Sequence, residues 1–98
     1  MKYRNRTDLV AKILESASGG PISKTRLTYM TYITYEQVSR FAAMLIEKDL
    51  LTFDKQTRLF HTTAKGRKFV EIYNEMQQCA GYLDGEQMNK KKTIGKTN

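Results

Sequence analysis

Apolar residues recur at helical spacing in the first twenty positions of the chain. They are separated by one, three and four residues and would share one face of a helix: Leu9, Val10, Ile13, Leu14 and Ala17. Thr7 or Asp8 can accept hydrogen bonds from the free N–H groups of the first turn. Gly19 and Gly20 are typical of the point where a chain leaves a helix. The pattern predicts a first helix that begins near residue 7.

A second, shorter helix is predicted from Ser23 to Thr31. Ser23 is a favourable capping residue, and the spacing of Leu27 and Met30 turns both side chains inward. Residues 32–33 then form a turn.

Thr34 and Gln37 mark the start of a third helix. Their T-x-x-Q spacing is that of a capping box, in which each side chain bonds the other residue's main-chain N–H. Four apolar residues would share the inward face: Val38, Phe41, Ala42 and Leu45. The other faces would carry Tyr35, Glu36, Ser39, Arg40 and Ala43.

A β-hairpin and a fourth helix follow. The segments from Leu50 to Phe53 and from Arg58 to Thr62 are typical of paired strands around a polar turn. Thr63 can cap a helix that runs to about residue 83. Gly66 is disfavoured in a helix by roughly 1 kcal/mol relative to alanine, which indicates close approach of the backbone to a neighbouring element.

Three helices followed by a hairpin is the element order of a winged helix-turn-helix. The second and third helices form the helix-turn-helix, and the hairpin is the wing. The predicted fold class is therefore α+β, mainly α, with one further helix after the wing. We expect four segments: a basic N-terminal arm (1–6), the winged helix-turn-helix domain (7–63), a C-terminal dimerisation helix (64–84) and a disordered basic tail (85–98).

Charge is the first property that points to a partner. The chain has 98 residues, enough for one modest core, and a net charge of +7. Residues 1–33 carry six basic and two acidic residues, residues 34–84 carry seven of each, and residues 85–98 carry four and one. An excess of this size attracts polyanions such as nucleic acid, and here it lies at the two ends.

Composition also argues against several kinds of site and segment. Cys79 is the only cysteine and His61 the only histidine, so neither a four-ligand zinc site nor an intrachain disulfide can form from them. No apolar run approaches the ~20 residues of a membrane span, and the N-terminus lacks the apolar stretch of a secretory signal. We expect a cytoplasmic, nucleoid-associated protein that is not an enzyme and has no cofactor or membrane partner, and the sequence identifies no small-molecule effector.

Two segments resemble the small archaeal winged-helix DNA-binding proteins. They are G-G-x-x-x-K-T-R-L-x-Y-x-x-x-I-T-Y-E-Q at residues 19–37 and F-H-T-T-A-K-G-R-K-F at residues 60–69, and the similarity covers roughly residues 6–78. Members are typically dimers joined by an antiparallel coiled coil of their C-terminal helices, and they include chromatin-associated proteins and transcription regulators. The chain departs from the family pattern at Tyr32-Ile33, where Asn-Leu is usual, at Thr62, which replaces an apolar residue, and at Gly81 in a short last helix.

The resemblance and the helix-turn-helix geometry select candidate DNA-binding residues on three elements. The leading residues of the third helix would approach base edges in the major groove, while the second helix crosses the backbone and the wing reaches the flanking backbone or minor groove. The candidates are Lys24, Arg26, Tyr35, Gln37, Ser39, Arg40, Lys55 and Arg58. Gln37 can instead be used by the cap, and Glu36 on the same face repels phosphate.

The fourth helix carries apolar residues at the three-four spacing of a coiled-coil seam. Phe69 is expected to close the core of the domain itself. The later seam positions extend past that core, and a second copy of the helix is their natural cover. We therefore expect a homodimer formed through Ile72, Met76, Cys79 and Leu83.

These patterns predict a protein that binds double-stranded DNA, either as a transcription regulator or as an architectural, chromosome-organising protein. The polar, mixed character of the third helix favours the regulator. A winged-helix module that recruits transcription or replication machinery stays open, because residues 34–63 are neutral overall and Glu36 is exposed. RNA binding is a further alternative, since a fold does not fix a function.

Overall fold

Six elements follow one another in the order predicted from the sequence. The computed structural model describes residues 3–84, and the side chains as far as residue 80. The elements are α1 (Arg6–Ser16), α2 (Lys24–Thr31), α3 (Tyr35–Glu47), β1 (Leu51–Asp54), β2 (Leu59–Thr62) and α4 (Ala64–Asp84). The predicted fold class, mainly α with one antiparallel hairpin, is confirmed. The predicted disordered tail (85–98) lies outside the described residues.

The first helix begins earlier than predicted. Its N-cap is Asn5, whose backbone is extended and whose side chain accepts a hydrogen bond of 2.9 Å from the main-chain N–H of Asp8. The expectation that Thr7 or Asp8 caps the helix was therefore wrong, because both lie inside its first turn. Since it is not used as a cap, the Asp8 carboxylate accepts the main-chain N–H of Arg4 at 3.1 Å.

The caps of the second and third helices are as predicted. The Ser23 side chain accepts the N–H of Arg26 at 3.1 Å. The Thr34 hydroxyl accepts the N–H of Gln37 at 3.1 Å, and the Gln37 side chain accepts the N–H of Thr34 at 3.1 Å, which completes the capping box. Between the two helices, Tyr32 ends α2 in the left-handed conformation with φ 61°. This residue sets the angle at which the chain enters α3.

The core lies where α1, α2, α3 and the hairpin meet. Its buried apolar residues are Leu9, Val10, Ile13, Leu14, Ala17, Ile22, Leu27, Val38, Ala42, Leu45, Leu50, Leu51 and Phe60. Phe69 and Val70 of α4 pack against this core, as expected for Phe69, and α4 contacts α1 most extensively. Burial of the inner faces of α2 and α3 in this core fixes which side chains of the two helices face solvent.

Each strand of the hairpin begins one residue later than predicted, and β1 also ends one residue later, at Asp54. Leu51 lies opposite Thr62 in the antiparallel register. Leu50 belongs to the preceding turn, because its N–H donates to the Leu45 oxygen at 2.9 Å. Arg58 belongs to the tip, because its φ of 62° is left-handed and ends the pairing.

A short extended segment between α1 and α2 pairs with the second strand of the hairpin. Ile22 and Phe60 exchange two main-chain hydrogen bonds of 2.9 and 2.7 Å. The segment before α2 is thereby fixed to β2, so the start of α2 and the wing have a defined spacing.

Gly66 lies against a neighbouring backbone, as predicted. A Cβ atom at this position would be 2.3 Å from the Leu50 oxygen and 2.6 Å from Cγ2 of Thr62. Thr63 caps the helix, accepting the Gly66 N–H at 2.9 Å. The first turn of α4 is therefore held directly against the α3–β1 turn.

Candidate nucleic-acid interface

The leading turn of α3 presents polar side chains on the face opposite the core. Tyr35, Glu36 and Arg40 are exposed, and Ser39 is half-buried. Gln37 is different, because its side-chain oxygen accepts hydrogen bonds from both the N–H and the hydroxyl of Thr34. The helix thus offers one cation, one aromatic ring and one acid for contact with a partner.

Three of the predicted DNA-binding residues meet in one cleft, which we call the basic cleft. Lys24 comes from the first residue of α2, Tyr35 from the first residue of α3, and Arg58 from the wing turn. The Lys24 ammonium lies 5.0 Å from the centroid of the Tyr35 ring, in the arrangement of a cation–π contact. The cleft also contains Ser23, Thr25, Phe53, Thr57 and Leu59. The folding of α2, α3 and the wing therefore brings two cations and a ring onto one concave surface.

Arg26 lies on a different flank of α2 from Lys24. It lines a separate depression with residues 19–22, Met30 and Leu59. A spacing of two residues turns side chains to different faces of a helix. The two residues paired by the sequence prediction therefore do not share a cleft.

The wing tip is shaped by its own backbone. The Asp54 carboxylate accepts the N–H of Gln56 at 2.9 Å, and the Arg58 N–H donates to the Asp54 main-chain oxygen at 2.6 Å. Lys55 and Arg58 are both exposed. Arg58 lines the basic cleft, whereas Lys55 is not among the residues that line it.

A second cleft, which we call the tyrosine cleft, was missed by sequence reasoning. It lies between the outer flank of α2 and the start of α3 and is lined by Thr25, Thr28, Tyr29, Tyr32 and Tyr35. One signal was present in the sequence, because Tyr32 occupies a position where asparagine is usual in similar proteins. Asparagine tolerates the left-handed region better than other residues with a side chain.

The first described residues are attached to the end of α2. The Tyr3 hydroxyl donates to the main-chain oxygen of Thr31 at 2.7 Å. Burial, with a smaller contribution from neighbouring Tyr32, raises the pKa of the Tyr3 phenol. The segment predicted as a basic arm is therefore anchored at Tyr3, and Arg6 already belongs to α1.

Comparison with known proteins assigns the family. A family profile described as winged helix-turn-helix matches residues 3–81. The chain belongs to the winged helix-turn-helix family. Domains of this kind are typically DNA-binding and non-enzymatic, so membership indicates a DNA-binding domain.

A solved structure shares the winged-helix fold. It is described as a protein with unknown function from Listeria innocua Clip11262, with a TM-score of 0.56 and 23% sequence identity. The match covers 85% of this chain and 73% of that one, and it supports the fold alone. No curated protein matches this winged helix at a significant level.

The last helix of this winged-helix protein exposes apolar side chains where the sequence predicted a seam. Ile72 is 45% exposed and Met76 60% exposed, and Cys79 is also exposed. Leu83 belongs to the helix, but its side chain lies outside the described part of the chain. Three of the four predicted dimerisation residues are therefore uncovered in a single copy.

Residues 3–84 contain neither a metal-binding cluster nor a membrane-spanning helix. No group of three or more histidine, cysteine or carboxylate side chains is arranged to hold a metal ion in this range. None of the helices described there combines the length and apolar character needed to cross a membrane.

Proposed function

We propose that this winged-helix protein is a transcription regulator that places α3 in the major groove of double-stranded DNA and the wing on the flanking backbone or minor groove. The observation that carries the proposal is the convergence of Lys24, Tyr35 and Arg58 in the basic cleft. Two cations on one continuous surface suit phosphate groups of one strand. The second helix of a helix-turn-helix crosses the DNA backbone, which is where Lys24 would be needed.

Contacts to bases would come from the exposed face of α3. Arg40 is exposed four residues after Glu36, one turn further along α3, and has the fork of donors that suits guanine. Ser39 lies four residues after Tyr35 and hence on the same side of the helix. Gln37 would contribute through its amide N–H groups, because its oxygen is engaged by the cap. Arg26 and Lys55, outside the basic cleft, would contact phosphates at its margins.

The mixed charge of this face supports regulation over uniform coating of DNA. Glu36, adjacent to Tyr35, is exposed and repels phosphate, although it is favourable at a helix N-terminus. A surface with one base-reading cation and one acid gains its affinity from a matched site and not from charge alone. A homodimer formed through Ile72, Met76, Cys79 and Leu83 would present two such surfaces, which implies a palindromic preference.

Fluorescence anisotropy with a random-sequence duplex, titrated across salt, tests DNA binding by the full chain. Lys24→Gln and Arg58→Gln should each weaken binding and reduce the slope of log affinity against log salt by about 0.9, the value for one lost phosphate contact. Lys68→Gln on α4 is the charge-matched control, because it removes one exposed cation that does not line the basic cleft and that pairs with Glu71 at 3.4 Å. An equal loss in all three variants would contradict the assignment of the basic cleft.

Selection of preferred sequences from a random library separates the regulator from the architectural role. A regulator should bind its selected site at least ~10³-fold more tightly than random DNA at the same salt concentration. Arg40→Gln should remove most of that preference while leaving binding to random DNA largely intact. Equal affinity for selected and random duplexes would favour an architectural protein instead.

A further inference from the structure

The tyrosine cleft adjoins the basic cleft and consists entirely of residues that bear hydroxyl groups. Its rings are unusually open to solvent: Tyr29 is 80% exposed, Tyr32 69% and Tyr35 55%. Since a tyrosine buries 150–250 Å² when covered, the three rings expose roughly 300–500 Å². That is comparable to the largest patch on a typical monomer, which commonly marks an interaction surface.

Tyr32 caps α2 through its main-chain N–H, which donates to the Thr28 oxygen at 3.0 Å and does not involve the side chain. Its φ of 61° is in the left-handed region, which disfavours residues with a Cβ atom and suits glycine or asparagine better. Among the described residues, the hydroxyls of Tyr29, Tyr32 and Tyr35 have no hydrogen-bond partner. A side chain that is exposed, unpaired and held in an unfavourable conformation is better explained by contact with another molecule.

The position of the cleft identifies that molecule. Thr25 and Tyr35 line both clefts, so the two form one continuous surface. The Lys24 ammonium lies 5.0 Å from the ring centroid of Tyr35, one of these two shared residues. A strand whose phosphate is bound by Lys24 would therefore continue over the outer flank of α2.

We propose that the tyrosine cleft binds the sugar–phosphate backbone of duplex DNA, with the hydroxyls of Tyr29 and Tyr32 donating hydrogen bonds to phosphate oxygens. This inference depends on the proposed DNA-binding function and extends its contact surface beyond the wing and α3. Tyrosine hydroxyls are common phosphate donors and fix the position of a protein on its duplex. They also add contacts without adding charge, so they release no counterions.

Because the tyrosine contacts add no charge, their loss should lower the affinity for DNA without changing its salt dependence. Tyr29→Phe and Tyr32→Phe each remove one hydroxyl and keep the ring, and the exposure of both residues leaves folding unaffected. Each variant of the full chain should bind duplex DNA about 3- to 10-fold more weakly, the usual effect of one hydrogen bond. The salt slope should stay unchanged, in contrast to Lys24→Gln, which lowers both affinity and slope.

Anisotropy titrations of the same random duplex at four salt concentrations provide the test, with circular dichroism to confirm that each variant is folded. If Lys24→Gln weakens binding and both phenylalanine variants bind like the parent, the tyrosine cleft does not contact DNA and this inference fails alone. If neither Lys24→Gln nor Arg58→Gln differs from Lys68→Gln, the proposed function fails and this inference fails with it. A reduced salt slope in the phenylalanine variants would also overturn the inference, because the loss would then involve charge.

Discussion

The hydroxyl of Thr62 donates a hydrogen bond of 2.6 Å to the main-chain oxygen of Leu14, so that β2 closes the last turn of α1. The Thr62 N–H donates in addition to the oxygen of Ala17 at 3.1 Å. The last carbonyls of a helix lack hydrogen-bond donors within the helix. Here Thr62 of the wing supplies two donors to carbonyls at the end of α1. A polar residue at a buried strand position is thereby explained as a cap for α1.

Replacing Thr62 with valine should lower the free energy of unfolding by about 1–3 kcal/mol, because the buried Leu14 oxygen loses its partner while the shape of the side chain is kept. Thr62→Ser keeps the hydroxyl and removes one methyl group, which should cost only about 0.8 kcal/mol. Urea denaturation of both variants measures the difference. A valine variant more stable than the serine variant would show that methyl packing outweighs the hydrogen bond.

Gly66→Ala should destabilise the protein despite the better helix propensity of alanine. Propensity favours the substitution by roughly 1 kcal/mol, but the new Cβ would lie 2.3 Å from the Leu50 oxygen, a contact that forces the backbone to move. We expect a net loss of about 1–3 kcal/mol by thermal or urea unfolding. Gly19→Ala is the control, because a Cβ there meets nothing within 4 Å and should change stability by less than about 0.5 kcal/mol. A neutral Gly66→Ala would contradict the close approach.

Local patterns predicted the helices and failed where the deciding contact was distant. The Thr34–Gln37 capping box and the inward stripe of α3 are set within a few residues, so both could be predicted from the sequence. The role of Thr62 could not be, because its partner Leu14 is 48 positions away. The cap at Asn5 was missed because Asn5, Thr7 and Asp8 are all capping residue types, and only the extended backbone at Asn5 decides among them.

The types and positions of the candidate residues could be chosen from the sequence, whereas their grouping in space could not. Exposed cations at the starts of helices and at the wing tip can be found from sequence position alone. That Lys24 joins Arg58 while Arg26 faces another depression depends on the angle between α2 and the wing, which long-range packing sets. The tyrosine cleft was missed because the left-handed turn between α2 and α3 is occupied by Tyr32 and not by glycine, the residue that usually indicates such a turn.

The contact between α4 and α1 should make stability depend on pH in alkaline solution. The Tyr73 hydroxyl donates to the Asp8 carboxylate, and this hydrogen bond, followed by burial, raises the pKa of the Tyr73 phenol. A raised pKa in the folded state means stability that is complete below the unfolded pKa of about 10 and is lost as pH rises through the folded value. Urea midpoints should therefore fall more steeply above pH ~10 in the parent protein than in Tyr73→Phe.

The stability of Tyr73→Phe can also be compared with that of the parent protein at neutral pH. There it should be less stable than the parent by about 0.5–1.5 kcal/mol, the usual net value of one hydrogen bond. Tyr3, whose pKa is raised too, is unchanged in both proteins, so its contribution cancels in the comparison. Parallel alkaline curves for the two proteins would show that the Tyr73–Asp8 hydrogen bond does not couple folding to pH.

Arg58→Gly should separate stability from DNA binding. The φ of 62° at Arg58 is unfavourable for a residue with a Cβ atom, so glycine should stabilise the hairpin by up to about 1 kcal/mol. The same change removes a cation from the basic cleft and should reduce the salt slope of DNA binding by about 0.9. Arg58→Gln keeps the backbone cost and loses the charge, so it should weaken binding without the gain in thermal stability. Unchanged DNA binding in both variants would exclude the wing cation from the interface.

Charge placed on the exposed seam of α4 should dissociate the proposed dimer. Met76 is 60% exposed in one copy, and a second α4 that covered it would have to bury an unpaired carboxylate in Met76→Glu. Sedimentation equilibrium should give twice the chain mass for the parent and a dissociation constant at least ~10-fold higher for the variant. Gln77→Glu is the matched control, because Gln77 is the adjacent exposed residue and points about 100° away around the helix. A parent protein that is monomeric at micromolar concentration, or a control as disruptive as Met76→Glu, would contradict assembly through this seam.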